Sequence, residues 1–159
     1  MTEYNAADLR RQLREIQDEE GRIRIYICSM YGSRGNKETN LELAKMYCMN
    51  VIEGGAVPIC PHVFLSPVLN DDIPSQRAAG MRIGLSMLED CDLLLVCSAI
   101  SEGMKAEIKK AEELGIPVEI MSLSWLYGED QAPLIEEEIA KEMRELHEQE
   151  HNSETHRQD

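Results

Sequence analysis

Apolar residues recur along this chain with a period that changes from segment to segment. In residues 5–19, Leu9, Leu13 and Ile16 fall at helical spacing, which predicts an amphipathic helix closed by Gly21. Ile23, Ile25 and Ile27 then alternate within residues 22–28, the period-two pattern of a β-branched strand. After a loop at 29–36, residues 39–53 return to helical spacing, with Leu41, Ala44, Met46, Cys48 and Val51 as the apolar side and Gly54-Gly55 as the stop. Residues 56–60 read as a short strand. Residues 61–74, with Pro61, Pro67 and Pro74, read as a long loop, a length often given to lids and binding loops. A helix is predicted over 75–89. Residues 92–98 hold the unbroken run Leu93-Leu94-Leu95-Val96, which suits a strand covered on both faces. A loop at 99–103 leads to a helix at 104–114 closed by Gly115, with Met104, Ile108, Ala111 and Leu114 inward. Residues 117–121 form a fourth strand. A last helix is predicted over 133–148, and the polar, His-bearing segment 149–159 reads as a disordered acidic tail.

Strand and helix alternate, so the fold class is α/β with a parallel sheet. Right-handed crossovers around a central first strand give the order 2-1-3-4. The expectation is a flavodoxin/Rossmann-like three-layer sandwich with a central parallel sheet of four to five strands. It forms one domain over residues 1–148, with its core at 22–121 and flanking helices at 5–19 and 133–148. Ligands of such sheets bind beyond the carboxyl ends of the strands, where the strand order reverses. Here that point lies between the first and third strands, which singles out the loops 29–36 and 99–103.

Charge narrows the partners. The chain has 159 residues and a formal charge of −14. Its acidity is concentrated at the ends: residues 129–159 carry eleven acids against three bases. That acidity argues against nucleic acid or an anionic membrane as the main partner, because both need a basic face. No apolar run approaches the ~18–20 residues of a membrane span, and the first residues lack the basic-then-apolar pattern of a signal peptide. The five cysteines, at 28, 48, 60, 91 and 97, are odd in number, show no CxxC spacing and sit partly within apolar runs. That is the usage of reduced, buried thiols in a cytoplasmic protein. Cys60-Pro61-His62 is the one Cys/His proximity, and no metal site is expected from it.

Phosphate-binding signatures of the GxGxxG and GxxxxGK[ST] types are missing. The candidates are single residues. Tyr31 and Arg34 lie in the first switch loop, where Gly32-Ser33-Arg34-Gly35 reads either as a plain turn or as a phosphate contact. Ser101, Glu102, Gly103 and Met104 open the helix after the third strand, whose first amides face the crevice; Ser101 reads equally well as a helix cap. Glu107 sits in the first turns of that helix, on the Met104–Ala111 side by i+3 and i+4 spacing. It is either a crevice carboxylate favoured by the helix amino end or a solvated surface group. His62 follows a strand directly and suits either ligand contact and proton transfer or a structural role. Asp71-Asp72 reads as a carboxylate pair or as a charged loop tip. Met81, Met87 and Met104 read as core filling. Trp125 and Tyr127 fall in a polar turn suited to a subunit interface.

Ile25-Tyr26-Ile27-Cys28-Ser29, Cys91-Asp92-Leu93-Leu94-Leu95-Val96, and Ser101-Glu102-Gly103-Met104-Lys105-Ala106-Glu107-Ile108 with Ala111, Gly115 and Val118 resemble the nucleoside 2-deoxyribosyltransferase-like superfamily. The likeness is greatest to a branch of bacterial and phage proteins and covers roughly residues 22–121. In the characterised transferases a Glu in the helix after the third strand attacks the anomeric carbon of a 2′-deoxynucleoside. A Tyr of the first strand hydrogen-bonds that nucleophile. The resemblance implies that Glu107 is the nucleophile and Tyr26 its partner, with a sugar pocket that also involves Ser29 and Ser101. It implies no cofactor and no metal, and a homo-oligomer that completes its sites between subunits. An open sheet with exposed edges also calls for cover. Two positions depart from the pattern. The transferases' base-handling Asp before the third strand corresponds here to Gly84. A second Asp, shortly before the nucleophile, is unmatched, and Ser101 and Glu102 stand nearby instead. Asp71, Asp72, Glu102 and His62 are the candidates to replace these carboxylates.

Three readings follow. The first is an enzyme that cleaves or transfers the N-glycosidic bond of a nucleoside or nucleotide through Glu107, with Arg34 favouring a 5′-phosphate. The second is a binding module that holds a nucleotide-like ligand in the same crevice. The third is an interaction protein working through its acidic ends.

Overall fold

The computed structural model of the chain describes residue 11, residues 23–32 and residues 34–157. The helix expected over 5–19 lies, apart from residue 11, outside the described residues. Four parallel strands form one sheet in the order β2-β1-β3-β4: β1 (Arg24–Cys28), β2 (Val57–Ile59), β3 (Leu93–Val96) and β4 (Val118–Ile120). The fold is therefore α/β with the strand order that the crossover rules predict.

Between the strands run α1 (Lys37–Glu53), α2 (Pro61–Leu65), α3 (Pro74–Leu88) and α4 (Glu102–Glu113), followed after β4 by α5 (Ser124–Tyr127) and α6 (Ala132–His156). Ile25 pairs with Leu93 and Cys28 with Val96, which places the two most apolar strands side by side at the sheet centre. Ile25, Ile27, Leu94, Leu95 and Val96 are all essentially inaccessible. Burying each such side chain contributes about 1.5–3 kcal/mol. Asp92 locks the entry to this pair. Its amide donates to the Arg24 carbonyl and its carboxylate accepts from the Arg24 amide, both at 2.8 Å.

Side chains two apart on a strand share a face. Tyr26 and Cys28 share the face toward α3 and α4, since both lie by Glu107 of α4 and the Tyr26 hydroxyl approaches Gly84 of α3. On the other side α1 meets α5 through Tyr47 and Trp125, an edge-to-face pair 6.4 Å apart.

Several segments differ from their sequence expectation. Residues 61–65 are helical rather than part of a loop. Pro61 at the first helical turn needs no amide partner and has a preset φ, so the short helix starts directly after β2. Pro74 opens α3 for the same reason. The buried face of α1 is Asn40, Ala44, Tyr47 and Val51, whereas Met46 is exposed. Leu114 and Met81, expected inside, are also exposed. The tail expected to be disordered from residue 149 continues α6 to His156. No Gly or Pro interrupts residues 134–156, and Ser153 and Thr155 hydroxyls donate to the carbonyls of Gln149 and His151 at 2.8 Å. No helix among the described residues is long and apolar enough to cross a membrane.

Candidate active site

Parallel strands point their carboxyl ends the same way, and beyond the end of β1 the polypeptide diverges toward β2 on one side and β3 on the other. A cavity of about 100 Å³ opens there. Its walls come from the loop after β1 (Tyr31), from α2 (His62), α3 (Arg77, Gly84) and α4 (Gly103, Glu107). It is narrower than the ~300–1,000 Å³ of pockets that enclose a drug-sized ligand. A ligand seated in it would be gripped at one end and protrude through the open side.

Glu107 projects from the second turn of α4 onto the β1 face that carries Tyr26 and Cys28. One of its carboxylate oxygens is buried with no hydrogen-bond partner, and so is the Tyr26 hydroxyl. The two groups and the Cys28 thiol are near enough to influence one another, but Tyr26 and that oxygen stay unpaired. Burial disfavours the carboxylate and pushes Glu107 up to about 7, while the proximity of the Cys28 thiol and the Tyr26 hydroxyl, short of a formed hydrogen bond from the phenol, pulls it back. The same burial, with the Glu107 charge, holds the Tyr26 phenol well above its usual range. Burial of unpaired polar groups is unfavourable by about 1–3 kcal/mol each, and such groups gather where function demands them.

Gly84 explains how the phenol fits. A Cβ there would lie 3.2 Å from the Tyr26 hydroxyl and 3.5 Å from Pro61. A side chain at this position would need the phenol or Pro61 to give way by a few tenths of an ångström.

His62 is anchored by its Nε2, which donates to the Ser29 carbonyl at 2.8 Å, and its ring stacks on Tyr31 with centroids 4.9 Å apart. A carbonyl only accepts, so Nε2 carries the hydrogen and Nδ1 keeps its lone pair. Burial lowers the ring's pKa below its ordinary value, partly offset by the Ser29 bond and Asp71. Asp71 also reaches the cavity, 3.7 Å from Lys37. Gly32 permits this approach, because a Cβ there would overlap the Asp71 carboxylate. The loop itself is held by Asn40, whose amide donates to the carbonyls of Tyr31 and Arg34 at 2.8 Å each.

The structure brings together Tyr26, Tyr31, His62, Gly103 and Glu107, with Ser29 adjoining through its carbonyl. Other candidates are elsewhere. Arg34 turns away, donating to the Ile100 carbonyl at 3.0 Å and pairing with Glu142 of α6 at 3.2 Å. The acidic last helix offers a carboxylate that competes for the guanidinium, so Arg34 is not at hand for a ligand in the cavity. Asp72 is an exposed partner of Lys37 at 2.6 Å. Glu102 pairs with Lys105 on the surface at 2.8 Å. Ser101 is the buried residue before α4, and its amide donates to the Met104 sulfur at 3.4 Å; Met104 itself is core. Of the four replacements considered for the absent carboxylates, Asp71 and His62 alone line the cavity. Arg77 and Gly80 of the α3 wall carry no signal in the sequence, although they recur at helical spacing with Met81 and Gly84, which the sequence offered only as core filling and as a departure from the transferase pattern. Among the described residues no group of three or more His, Cys, Asp or Glu side chains could hold a metal ion.

A parallel α/β sheet with a buried carboxylate at its switch point defines the class. The chain belongs to the family described as Domain of unknown function (DUF7768), whose model matches residues 23–121. That span begins just before β1 and ends just after β4. No curated protein matches the chain. A solved structure of a 2-deoxyribosyltransferase from the psychrotolerant bacterium Bacillus psychrosaccharolyticus is similar to it with a TM-score of 0.46. Sequence identity is 16%, over 61% of this chain and 70% of that one. Sheets of this order host many chemistries, so activity has to be argued from the site.

Proposed function

We propose that this protein breaks the N-glycosidic bond of a nucleoside or nucleotide, with Glu107 as the nucleophile. The observation that carries the reading is the Glu107 carboxylate: buried, with an unpartnered oxygen, facing the cavity and beside a buried phenol. Near neutral pH a carboxyl of pKa about 7 is partly ionised and, being poorly solvated, reactive. In the reaction one Glu107 oxygen bonds to the anomeric carbon as the bond from that carbon to the base nitrogen breaks. The base departs with the electron pair and takes up a proton. A second base or water then attacks the same carbon and releases the carboxylate. Tyr26 orients Glu107 and donates to it once the charge is restored. The nucleoside class rests on the sequence resemblance, which sets Glu107 and Tyr26 on the transferases' nucleophile and its hydroxyl partner. A homo-oligomer belongs to the same reading.

A second reading has its own support. With Gly84 where a base-handling carboxylate would stand, the cavity also suits a module that binds such a ligand without chemistry. Incubating the protein with 2′-deoxynucleosides, ribonucleosides and their 5′-monophosphates, beside Glu107→Gln, separates the two. Free base released by the wild type and abolished in the variant supports the enzyme. Ligand binding retained in both forms, with no product from either, supports the module.

A further inference from the structure

We infer that His62 is the general base that directs the sugar onto water, so that the protein is a hydrolase rather than a base-exchanging transferase. This rests on the reading of Glu107 as nucleophile. His62 follows β2 and Glu107 follows β3, the strands on either side of β1, and both line the same cavity from different walls. The imidazole is fixed twice, by the 2.8 Å bond from Nε2 to Ser29 and by stacking on Tyr31. The bond consumes the only N–H of the neutral ring and leaves Nδ1 as a lone-pair acceptor. A freely turning surface histidine has neither constraint.

The step balances as follows. A water oxygen bonds to the anomeric carbon of the glycosyl–Glu107 ester while the bond from that carbon to the Glu107 oxygen breaks. The electron pair of that bond returns to the carboxylate, and the water proton passes to Nδ1. The imidazolium then loses it to solvent. Base exchange, by contrast, calls for a group that handles the leaving and incoming nucleobase, and α3 presents Gly84, which has no side chain, where the resemblance would set a carboxylate. Asp71, whose charge acts on the ring, stabilises the imidazolium while it exists. Arg77 from α3 and Glu107 from α4 are the other charged groups lining the cavity.

The test is intact-protein mass spectrometry with base release, on wild type, Glu107→Ala and His62→Gln, using whichever panel nucleoside or monophosphate the wild type cleaves. Gln keeps an amide N–H where Nε2 sits but has no base. The expected result is rapid release of about one base per His62→Gln molecule, with a sugar adduct that persists at least ~100-fold longer than in wild type. Adduct decay in the wild type slows as pH falls through the His62 pKa, below its ordinary value. The first step slows as pH falls through about 7, where Glu107 protonates. A His62→Gln protein with unchanged turnover and pH profile overturns the inference but leaves Glu107 standing. Wild type that releases no base from any substrate, or base release indifferent to Glu107→Ala, removes the underlying reading and this one with it. Should His62→Gln not fold, the wild-type adduct decay decides: no slowing on acidification overturns the assignment. Sugar appearing on an added free base in preference to water overturns it as well.

Discussion

Two of the hollows beside α4 differ in a way that size alone would misread. The cavity at the end of β1 measures about 100 Å³, while the groove between α4 and α6 measures about 420 Å³. In the larger one most charged groups are matched among the described residues, Glu145 excepted: Arg34 with Glu142, Glu102 with Lys105, and the Ile100 amide with Glu142 at 2.6 Å. In the smaller one the polar groups are left wanting. Four buried side-chain oxygens lack a partner among the described residues, and three of them, on Tyr26, Ser29 and Glu107, lie at the carboxyl end of β1 or against it. The fourth, on Glu119, is in the edge strand β4. A fold tolerates such unpaired burial where a ligand is meant to supply the missing partner. Unsatisfied polarity, rather than volume, separates the candidate active site from a surface groove.

The largest effect should come from Glu107. If the cavity is the reaction centre, Glu107→Gln lowers turnover on the order of 10⁴-fold or more, while ligand affinity stays within reach of the wild type. Isothermal titration beside a base-release assay reads both, and an active Glu107→Gln would erase the contrast between the two hollows.

The same residue makes stability depend on pH. Its folded pKa of about 7 lies above the ordinary 4.5, so between those values the folded state binds more protons than the unfolded chain. Stability is therefore highest below about pH 4.5 as far as this group is concerned, and falls as pH rises through about 7. The difference is about 3 kcal/mol at 1.36 kcal/mol per pKa unit. Urea unfolding at pH 5 and pH 8 should show this loss in the wild type and not in Glu107→Gln. Equal pH sensitivity in both proteins would mean that the carboxylate is not desolvated.

A smaller effect sharpens the packing argument. Tyr26→Phe removes a buried, unpaired hydroxyl and should stabilise the fold by about 1 kcal/mol while impairing turnover. In the wild type, Gly84→Ala crowds that hydroxyl and should destabilise. In the Tyr26→Phe background the clash is gone, and Ala should instead stabilise by its helix propensity, up to ~1 kcal/mol. Thermal unfolding of the four proteins closes the cycle; additive changes would show that Gly84 is not making room for the phenol.

The smallest effect belongs to the groove. Arg34 is half exposed, and Arg34→Ala should cost no more than about 1 kcal/mol of stability and change turnover by no more than about twofold. A loss confined to 5′-monophosphate substrates would return Arg34 to the ligand site.

The chain's own pattern determined the sheet. Ile23, Ile25 and Ile27 alternate, Leu93 to Val96 run unbroken, and glycines close the helices before the second and fourth strands. These are local signals, and right-handed crossover geometry turns them into the order 2-1-3-4 without knowledge of any contact. They also determined where to look, since a switch point follows from strand order. Helical spacing left Glu107 open between a crevice carboxylate and a surface group, and the resemblance to the transferase-like superfamily singled out both it and Tyr26. Tertiary structure decided the rest. Whether Arg34 faces a ligand depended on Glu142, 108 residues away, competing for it. Whether His62 could be more than a surface residue depended on the carbonyl of Ser29, which only the packing of α2 beside β1 supplies. That Gly84 lies close against a phenol depended on where a side chain from another element ends. That α3 forms a wall was invisible for the same reason: Arg77 and Gly80 look ordinary until the helix is laid across the end of the sheet. Periodicity is written in neighbours along the chain, whereas burial, pairing and free space at a site are properties of neighbours in space.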